Sequence, residues 1–359
     1  MPKSLLAVAI LVLAGCGGDD PIVFSSETAE PAWRVDVIFQ APAKLGGCAI
    51  GDVDPTKPGL EIAAVSGNGD VWVIARDGAE WSGERIATLP GEMIQCAVGD
   101  ARLDRPGDEL VVGGMASGGE DGGGPGQAWL FSRGEEGWEQ EPVFQDTALI
   151  HGVAIADMDP ERDGNQIVTV GFSDNAVVLD RVEGKGWVPI QTLPLGSPGK
   201  CVIPFDFGAA VECAGGPVKH VKRHDGAMQV KDIWRGTAGA ARLGTAGWGL
   251  LVACDDGKLV LVETGEGEQG AWTIYQESQK LRGAALRKPD EDAWQAATAG
   301  YEKKVTLFRA ARDGFEPVVV YEDGAKFHHL AADDLLPDRP GHELVACGYS
   351  GKVVLISRE

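Results

Sequence analysis

The chain has 359 residues and a formal net charge of -22, with Lys+Arg 32 against Asp+Glu 54. A surface of that sign repels phosphate backbones and anionic head groups, which argues against nucleic acid as a partner. Hydrophobic residues make up 44%, enough to bury the core of one large all-β domain or of two ordinary ones, and internal repeats decide between these.

At the N-terminus, Lys3 precedes an apolar stretch from Leu5 to Leu13 that ends in Ala14, Gly15 and Cys16. This is the layout of a secretory signal, and it is too short to cross a bilayer comfortably. The four residues LAGC resemble the lipobox of bacterial lipoproteins. The resemblance implies that residues 1–15 are removed, that Cys16 is lipidated, and that lipid chains hold the protein at a membrane of the cell envelope without a transmembrane helix. By resemblance to enteric sorting rules, Gly17 points to the outer rather than the inner membrane. Residues 16–32 are rich in Gly, Asp, Ser, Glu and Pro and read as a solvated tether, so the folded part is expected over 33–359.

One unit recurs in that part: a short apolar strand ending in Gly-Asp or Ala-Asp, an acidic turn with Pro and Gly, two apolar strands, then a strand led by an aromatic. Clear copies are GGCAIGDVDPTKPGLEIAAV from Gly46, IQCAVGDARLDRPGDELVVG from Ile94, HGVAIADMDPERDGNQIVTVG from His151 and HHLAADDLLPDRPGHELVACG from His328. Weaker copies begin near Lys200, Gly239 and Arg282. Tight Gly-bearing turns at 67–69, 256–257 and 350–351 join the second and third strands as hairpins. Trp81, Trp138, Trp187, Trp272 and Phe315 lead the fourth strands and are expected to pack between neighbouring sheets. The last unit stops at Glu359 after three strands, whereas WRVDVIFQ from Trp33 matches FEPVVVYE from Phe315, so the N-terminal strand is expected to complete it. Seven four-stranded units closed in this way predict an all-β, seven-bladed β-propeller.

The turns GDVDPTKPGLEI, GDARLDRPGDEL, ADMDPERDGNQI and DDLLPDRPGHEL resemble FG-GAP or VCBS repeats, and are similar to blades of some polysaccharide lyases and aldos-2-ulose dehydratases. The FG-GAP resemblance implies calcium, or another divalent metal, held by alternate carboxylates of the turn. Prolines and arginines interrupt most copies. The turn that fits best places Asp157, Asp159, Glu161 and Asp163 before Gly164.

In a propeller, the loops that lead into each first strand and the hairpins between second and third strands gather around the central opening, which is the default ligand site. Aligning the copies puts His151, Lys200, Arg282 and His328 at one equivalent position, with Gln95 and His329 one residue further on; Tyr301, Tyr349 and Phe172 belong to the same face. Imidazole, ammonium and guanidinium together suit a carboxylate, phosphate or uronic acid. The glycine-rich run from Met115 to Gly126 leads into a strand, not a helix, and so lacks the anatomy of a phosphate loop. No GxSxG elbow and no HExxH helix is present.

Six cysteines lie outside the lipobox. Cys48 and Cys96 read as one repeat position, and Cys213, Cys254 and Cys347 as another, both typical of core; Cys201 and Cys213, on consecutive strands of one unit, are the candidate disulfide. Three readings of function follow. The first is a monomeric, membrane-anchored, non-catalytic protein that binds a partner protein or an anionic glycan through the funnel. The second is a sugar lyase or dehydratase with His151, His328 or His329 as base and Lys200 or Arg282 neutralising an enolate. The third has those histidines among the ligands of a divalent metal.

Overall fold

The computed structural model describes residues 33–116, 124–236, 239–246, 248–264, 270–287, 294–311, 314–339 and 341–359. The signal segment, Cys16, the tether and part of the glycine-rich run lie outside the described residues.

Among the described residues, strand β1 (Trp33–Gln40) stands before seven sets. Blade 1 is β2 (Leu45–Gly51), β3 (Glu61–Ser66), β4 (Asp70–Asp77) and β5 (Glu80–Thr88); blade 2 is β6 (Glu92–Gly99), β7 (Glu109–Met115), β8 (Gly126–Gly134) and β9 (Gly137–Asp146). Blade 3 is β10 (Ile150–Ala156), β11 (Gln166–Gly171), β12 (Asn175–Val182) and β13 (Gly186–Pro194); blade 4 is β14 (Gly199–Pro204), β15 (Gly208–Cys213), β16 (Pro217–His224) and β17 (Ala227–Arg235). Blade 5 is β18 (Ala240–Thr245), β19 (Gly249–Cys254), β20 (Lys258–Glu263) and β21 (Ala271–Gln276); blade 6 is β22 (Leu281–Leu286), β23 (Ala296–Gly300), β24 (Lys304–Ala311) and β25 (Gly314–Glu322). Blade 7 is β26 (Phe327–Asp333), β27 (Glu343–Gly348), β28 (Lys352–Arg358) and, at its outer edge, β1.

Every blade is a four-stranded antiparallel meander, and β1 pairs antiparallel with β28 from Trp33↔Arg358 to Gln40↔Lys352. The N-terminal strand therefore closes the ring, as the missing fourth strand of the last repeat requires. Second strands such as EIAAVS, QIVTVG and ELVACG are buried at every position, because both of their faces meet a neighbouring blade. The core accordingly lies in the seams. Ile62, Cys48 and Ile74 of blade 1, for instance, pack with Val345, Cys347 and Leu355 of blade 7.

All seven innermost strands carry a bulge at the same place, between Leu45 and Gly47, Met93 and Gln95, Ile150 and Gly152, Gly199 and Cys201, Ala240 and Arg242, Leu281 and Gly283, and Phe327 and His329. A bulge leaves one residue out of the pairing and re-aims its side chain. The residues left out are Gly46, Ile94, His151, Lys200, Ala241, Arg282 and His328. In blade 1 the position must be glycine, since a Cβ on Gly46 would come within 2.6 Å of the Met93 carbonyl oxygen.

The acidic turn of the repeat is a structural device. Its terminal Glu or Gln begins the second strand, is buried, and reaches back to accept a backbone N–H from the turn: Asp54 N to Glu61 at 3.0 Å, Ala101 N to Glu109 at 2.9 Å, Met158 N to Gln166 at 2.9 Å and Leu336 N to Glu343 at 2.9 Å. A turn aspartate then meets an arginine at the end of the third strand of the next blade. These pairs are Asp54–Arg133 (3.2 Å), Asp104–Arg181 (3.1 Å), Asp338–Arg76 (3.1 Å) and Asp159–Arg223. The recurring carboxylates thus tie turn to strand and blade to blade.

The leading aromatics divide. Trp187 is buried and donates its Nε1–H to Glu141 of blade 2 at 3.0 Å, and Trp81 packs in the seam with blade 7. Trp272, by contrast, is 45% exposed on the outer strand of blade 5, so the aromatic there is not an interlayer plug.

The six described cysteines are free and buried. The expected Cys201–Cys213 bridge is corrected for a geometric reason. Cys201 pairs with Glu212 and Cys213 with Gly199, and the two side chains enter different cores, Cys201 toward blade 5 and Cys213 toward blade 3. The repeat assignment of Cys347 is also one residue out. Cys213 and Cys254 pair opposite the first residue of their inner strands, whereas Cys347 pairs opposite His329, beyond the bulge.

Replacing Glu109 by Ala removes the acceptor of the buried Ala101 N–H and is expected to cost about 1–3 kcal/mol. Arg76→Ala, which breaks a solvent-screened pair, is expected to cost under about 1 kcal/mol. Thermal unfolding of the two variants checks that order.

Candidate functional site: the mouth of the central channel

The bulges deliver side chains to the channel in a regular way. His151 Nδ1 lies 2.6 Å from the carbonyl oxygen of Lys200, and His328 Nδ1 lies 2.5 Å from that of Gly46; in both cases the acceptor is the bulge residue of the next blade. A carbonyl can only accept, so Nδ1 of each imidazole carries a proton, and since burial disfavours the charged ring the lone pair is left on Nε2. His329 sits beside the Cys48 thiol, with Nδ1 3.8 Å from Sγ, and Gln95 is buried with its amide 3.9 Å from the Cys201 sulfur. Burial, reinforced by the Arg242 guanidinium, pushes His151 and His329 down to about 3 and lowers His328 in the same direction. A base this weak is poorly matched to abstracting a carbon-bound proton near neutral pH.

Arg242 was not singled out in the sequence. It follows the bulge of blade 5, at the position of Gln95 and His329, and is buried. Its guanidinium lies 3.4 Å from the Lys200 carbonyl oxygen and 3.5 Å from His328 Nδ1, so one side chain spans from blade 5 to blades 4 and 7. Asp255, in the hairpin of blade 5, takes Lys200 Nζ at 3.0 Å and Arg282 Nη1 at 2.5 Å. Burial raises its carboxyl, but Arg282 and Lys200 together outweigh this and hold it below the usual carboxylate range.

Glu212 stands where the other blades carry Val65, Gly113, Val170, Ala253, Ala299 and Cys347. It is fully buried, and neither carboxyl oxygen finds a hydrogen-bond donor among the described residues. Burial pushes it up to about 8 despite nearby Lys200 and Arg242.

At the rim, hairpin tips bring Tyr301 and Tyr349 together, their hydroxyls 3.3 Å apart. Lys326 Nζ lies 4.2 Å and the Arg282 guanidinium 5.2 Å from the Tyr301 ring centre, and Lys44 Nζ lies 5.9 Å from that of Tyr349. Tyr349 is 41% exposed and Phe172, stacked on His151, is 47% exposed. Lysines and an arginine over open aromatic rings suit a ligand with carboxylates and flat apolar faces.

The turn from Asp157 to Asp163 lies on the opposite face. Asp159 is held by Arg223 and by Arg162 at 3.4 Å, and one of its oxygens accepts the Glu161 N–H, so its charge is already matched. Among the described residues no group of three or more His, Cys, Asp or Glu is gathered as a metal site, either in this turn or around His151, His328 and His329. A cleft of about 210 Å³ beside the turn is lined by Asp159, Phe207, Lys222 and Arg223, whose charged groups pair among themselves and with Asp206.

No family model and no curated protein sequence matches the chain. Among solved structures, the WD40 β-propeller domain of Doa1 is similar, with a TM-score of 0.65 and 13% identity over 92% of this chain and 98% of that one. The chain is thus a seven-bladed β-propeller, and the likeness speaks for the fold alone.

The buried groups set a pH dependence. Glu61, Glu109, Glu277 and Glu343 are pushed up by burial to about 7 and Glu212 to about 8, from a usual 4.5. Acids raised on folding contribute stability that is complete below about 4.5 and lost as pH rises through 7 to 8. Histidines lowered from 6.5 to about 3 contribute stability that is present above 6.5 and lost as pH falls. The midpoint of unfolding is therefore expected to be highest near about pH 5, to fall from there to about pH 8, most steeply just above 6.5 where the histidines no longer offset the acids, and to level off beyond. Glu212→Gln should flatten the upper part of that decline in a thermal series across pH.

Proposed function

We propose that the chain is a non-catalytic, envelope-tethered binding module that holds a carboxylate-bearing partner at its channel mouth. The observation that carries this reading is Lys326 over the Tyr301 ring beside Tyr349, with Lys44 and Arg282, paired to Glu92 and Asp255, at the edge of the same cluster, on a chain whose net charge is -22. Lys326 has no carboxylate partner among the described ion pairs, so its charge is open to a ligand. The Asp255 carboxylate between Lys200 and Arg282 illustrates the kind of group the mouth accepts. An acidic protein segment is the favoured partner, because a rigid face with charged and aromatic anchors is a common way to hold one. The tether and Cys16 supply the membrane attachment, the FG-GAP or VCBS wording describes the blade type, and the Gly17 resemblance favours the outer membrane.

Titration with poly-glutamate and with oligogalacturonate tests the mouth. Binding of poly-glutamate that weakens with salt and drops about tenfold in Lys326→Glu and in Tyr349→Ala is expected. Preference for the oligogalacturonate would reassign the partner to a glycan, and no binding of either would remove the carboxylate reading. Independently, Cys16→Ser is expected to move the protein from the membrane fraction to the soluble one.

A further inference from the structure

The seams repeat as the blades do. In six of the seven, the residue two beyond the bulge residue of one inner strand lies against the second-strand residue of the preceding blade that pairs just beyond its own bulge; between blades 4 and 5 that second position is Glu212. Cys96 shares a core with Val65, Val202 with Val170, Ala284 with Ala253, and Leu330 with Ala299. At blade 2 the approach is so close that a Cβ on Gly113 would come within 2.5 Å of Val153. These pairs combine small and apolar residues. At the one seam where the chain's two ends meet, the equivalent positions are Cys48 of blade 1 and Cys347 of blade 7, and both lie in the same buried core. The neighbouring Cys347 thiol and burial push the Cys48 thiol up, and His329, opposite Cys347 in its sheet, brings Nδ1 to 3.8 Å from the Cys48 sulfur.

We propose that Cys48 and Cys347 are a disulfide-forming pair that cross-links the first and last blades across the closing seam. The step is a thiol–disulfide exchange. One thiolate attacks a disulfide donor and the second displaces the donor's remaining thiol, so that two cysteine thiols become one S–S bond and the donor leaves as two thiols, taking up both protons and electrons. The native pair is buried, so exchange takes place while blade 7 is still undocked, during folding or on opening of the seam. A cross-link there closes a loop that runs through nearly all of the propeller, and long loops gain most from closure. Cys201, Cys213, Cys254 and Cys96 each face an apolar neighbour or a strand partner of another kind and are expected to stay reduced.

The test is refolding of the full reduced chain in a mixture of oxidised and reduced glutathione, followed by alkylation, digestion and peptide mapping. A Cys48–Cys347 linked peptide that disappears on reduction is expected, with an unfolding midpoint about 5 °C above that of the reduced protein. Cys347→Ala should refold with the same midpoint under both redox conditions. Mapping on the unsubstituted chain keeps the proposal falsifiable should that variant fail to fold. Alkylation of all six propeller cysteines, or a link between any other two, would overturn it. Because the oxidant is supplied in the tube, the outcome does not depend on the proposed export or on the ligand.

Discussion

The constraint on which the rest depends is ring closure. Each sheet is apolar on both faces, so no blade is stable beside water, and the first and last can be covered only by each other. Hydrogen bonds between β1 and β28 achieve this by building one sheet from both ends of the chain. Packing of Leu45, Ile62 and Ile74 against Leu335, Val345 and Leu355 then completes the circle of seams.

With the ring fixed, a small local irregularity acquires consequences. The bulge at the entrance of each inner strand leaves one residue out of the pairing, and its repetition around the ring lets neighbours satisfy one another. Imidazoles of His151 and His328 find carbonyls of the next blade, Arg242 shares the Lys200 carbonyl with His151, and Asp255 gathers Lys200 and Arg282. Much of the channel's charge is therefore matched internally, and what remains open is the rim around Tyr301, Tyr349 and Lys326.

Blade number, strand order and the closing role of WRVDVIFQ were legible because they are written as periodic patterns. The shared position of His151, Lys200, Arg282 and His328 was legible for the same reason, since the acidic turns anchor the alignment. Blade 5 lacks such a turn, and the copy read from near Gly239 begins two residues ahead of the bulge, so Arg242 passed unmarked. Alternate carboxylates look alike whether they await a metal or an arginine, and although Asp54, Asp104 and Asp159 each have one cationic partner in their own turn, the second, Arg133, Arg181 and Arg223, comes from the following repeat, on which spacing within one turn carries no information. Glu212 reads as an exposed acid in a strand, and only the stacking of blades on both sides shows it to be buried. The Cys201 and Cys213 expectation failed on a bulge, which puts residues that look adjacent on opposite faces of their sheet.

The direction in which β1 runs has a geometric outcome of its own. As the outer strand of blade 7 it ends at Gln40, beside the loop that enters the first inner strand on the mouth side, so it begins, at Trp33, on the far side of the disc. Whatever precedes Trp33 joins the propeller beneath, on the side of the acidic turns, while Tyr301 and Tyr349 look the other way.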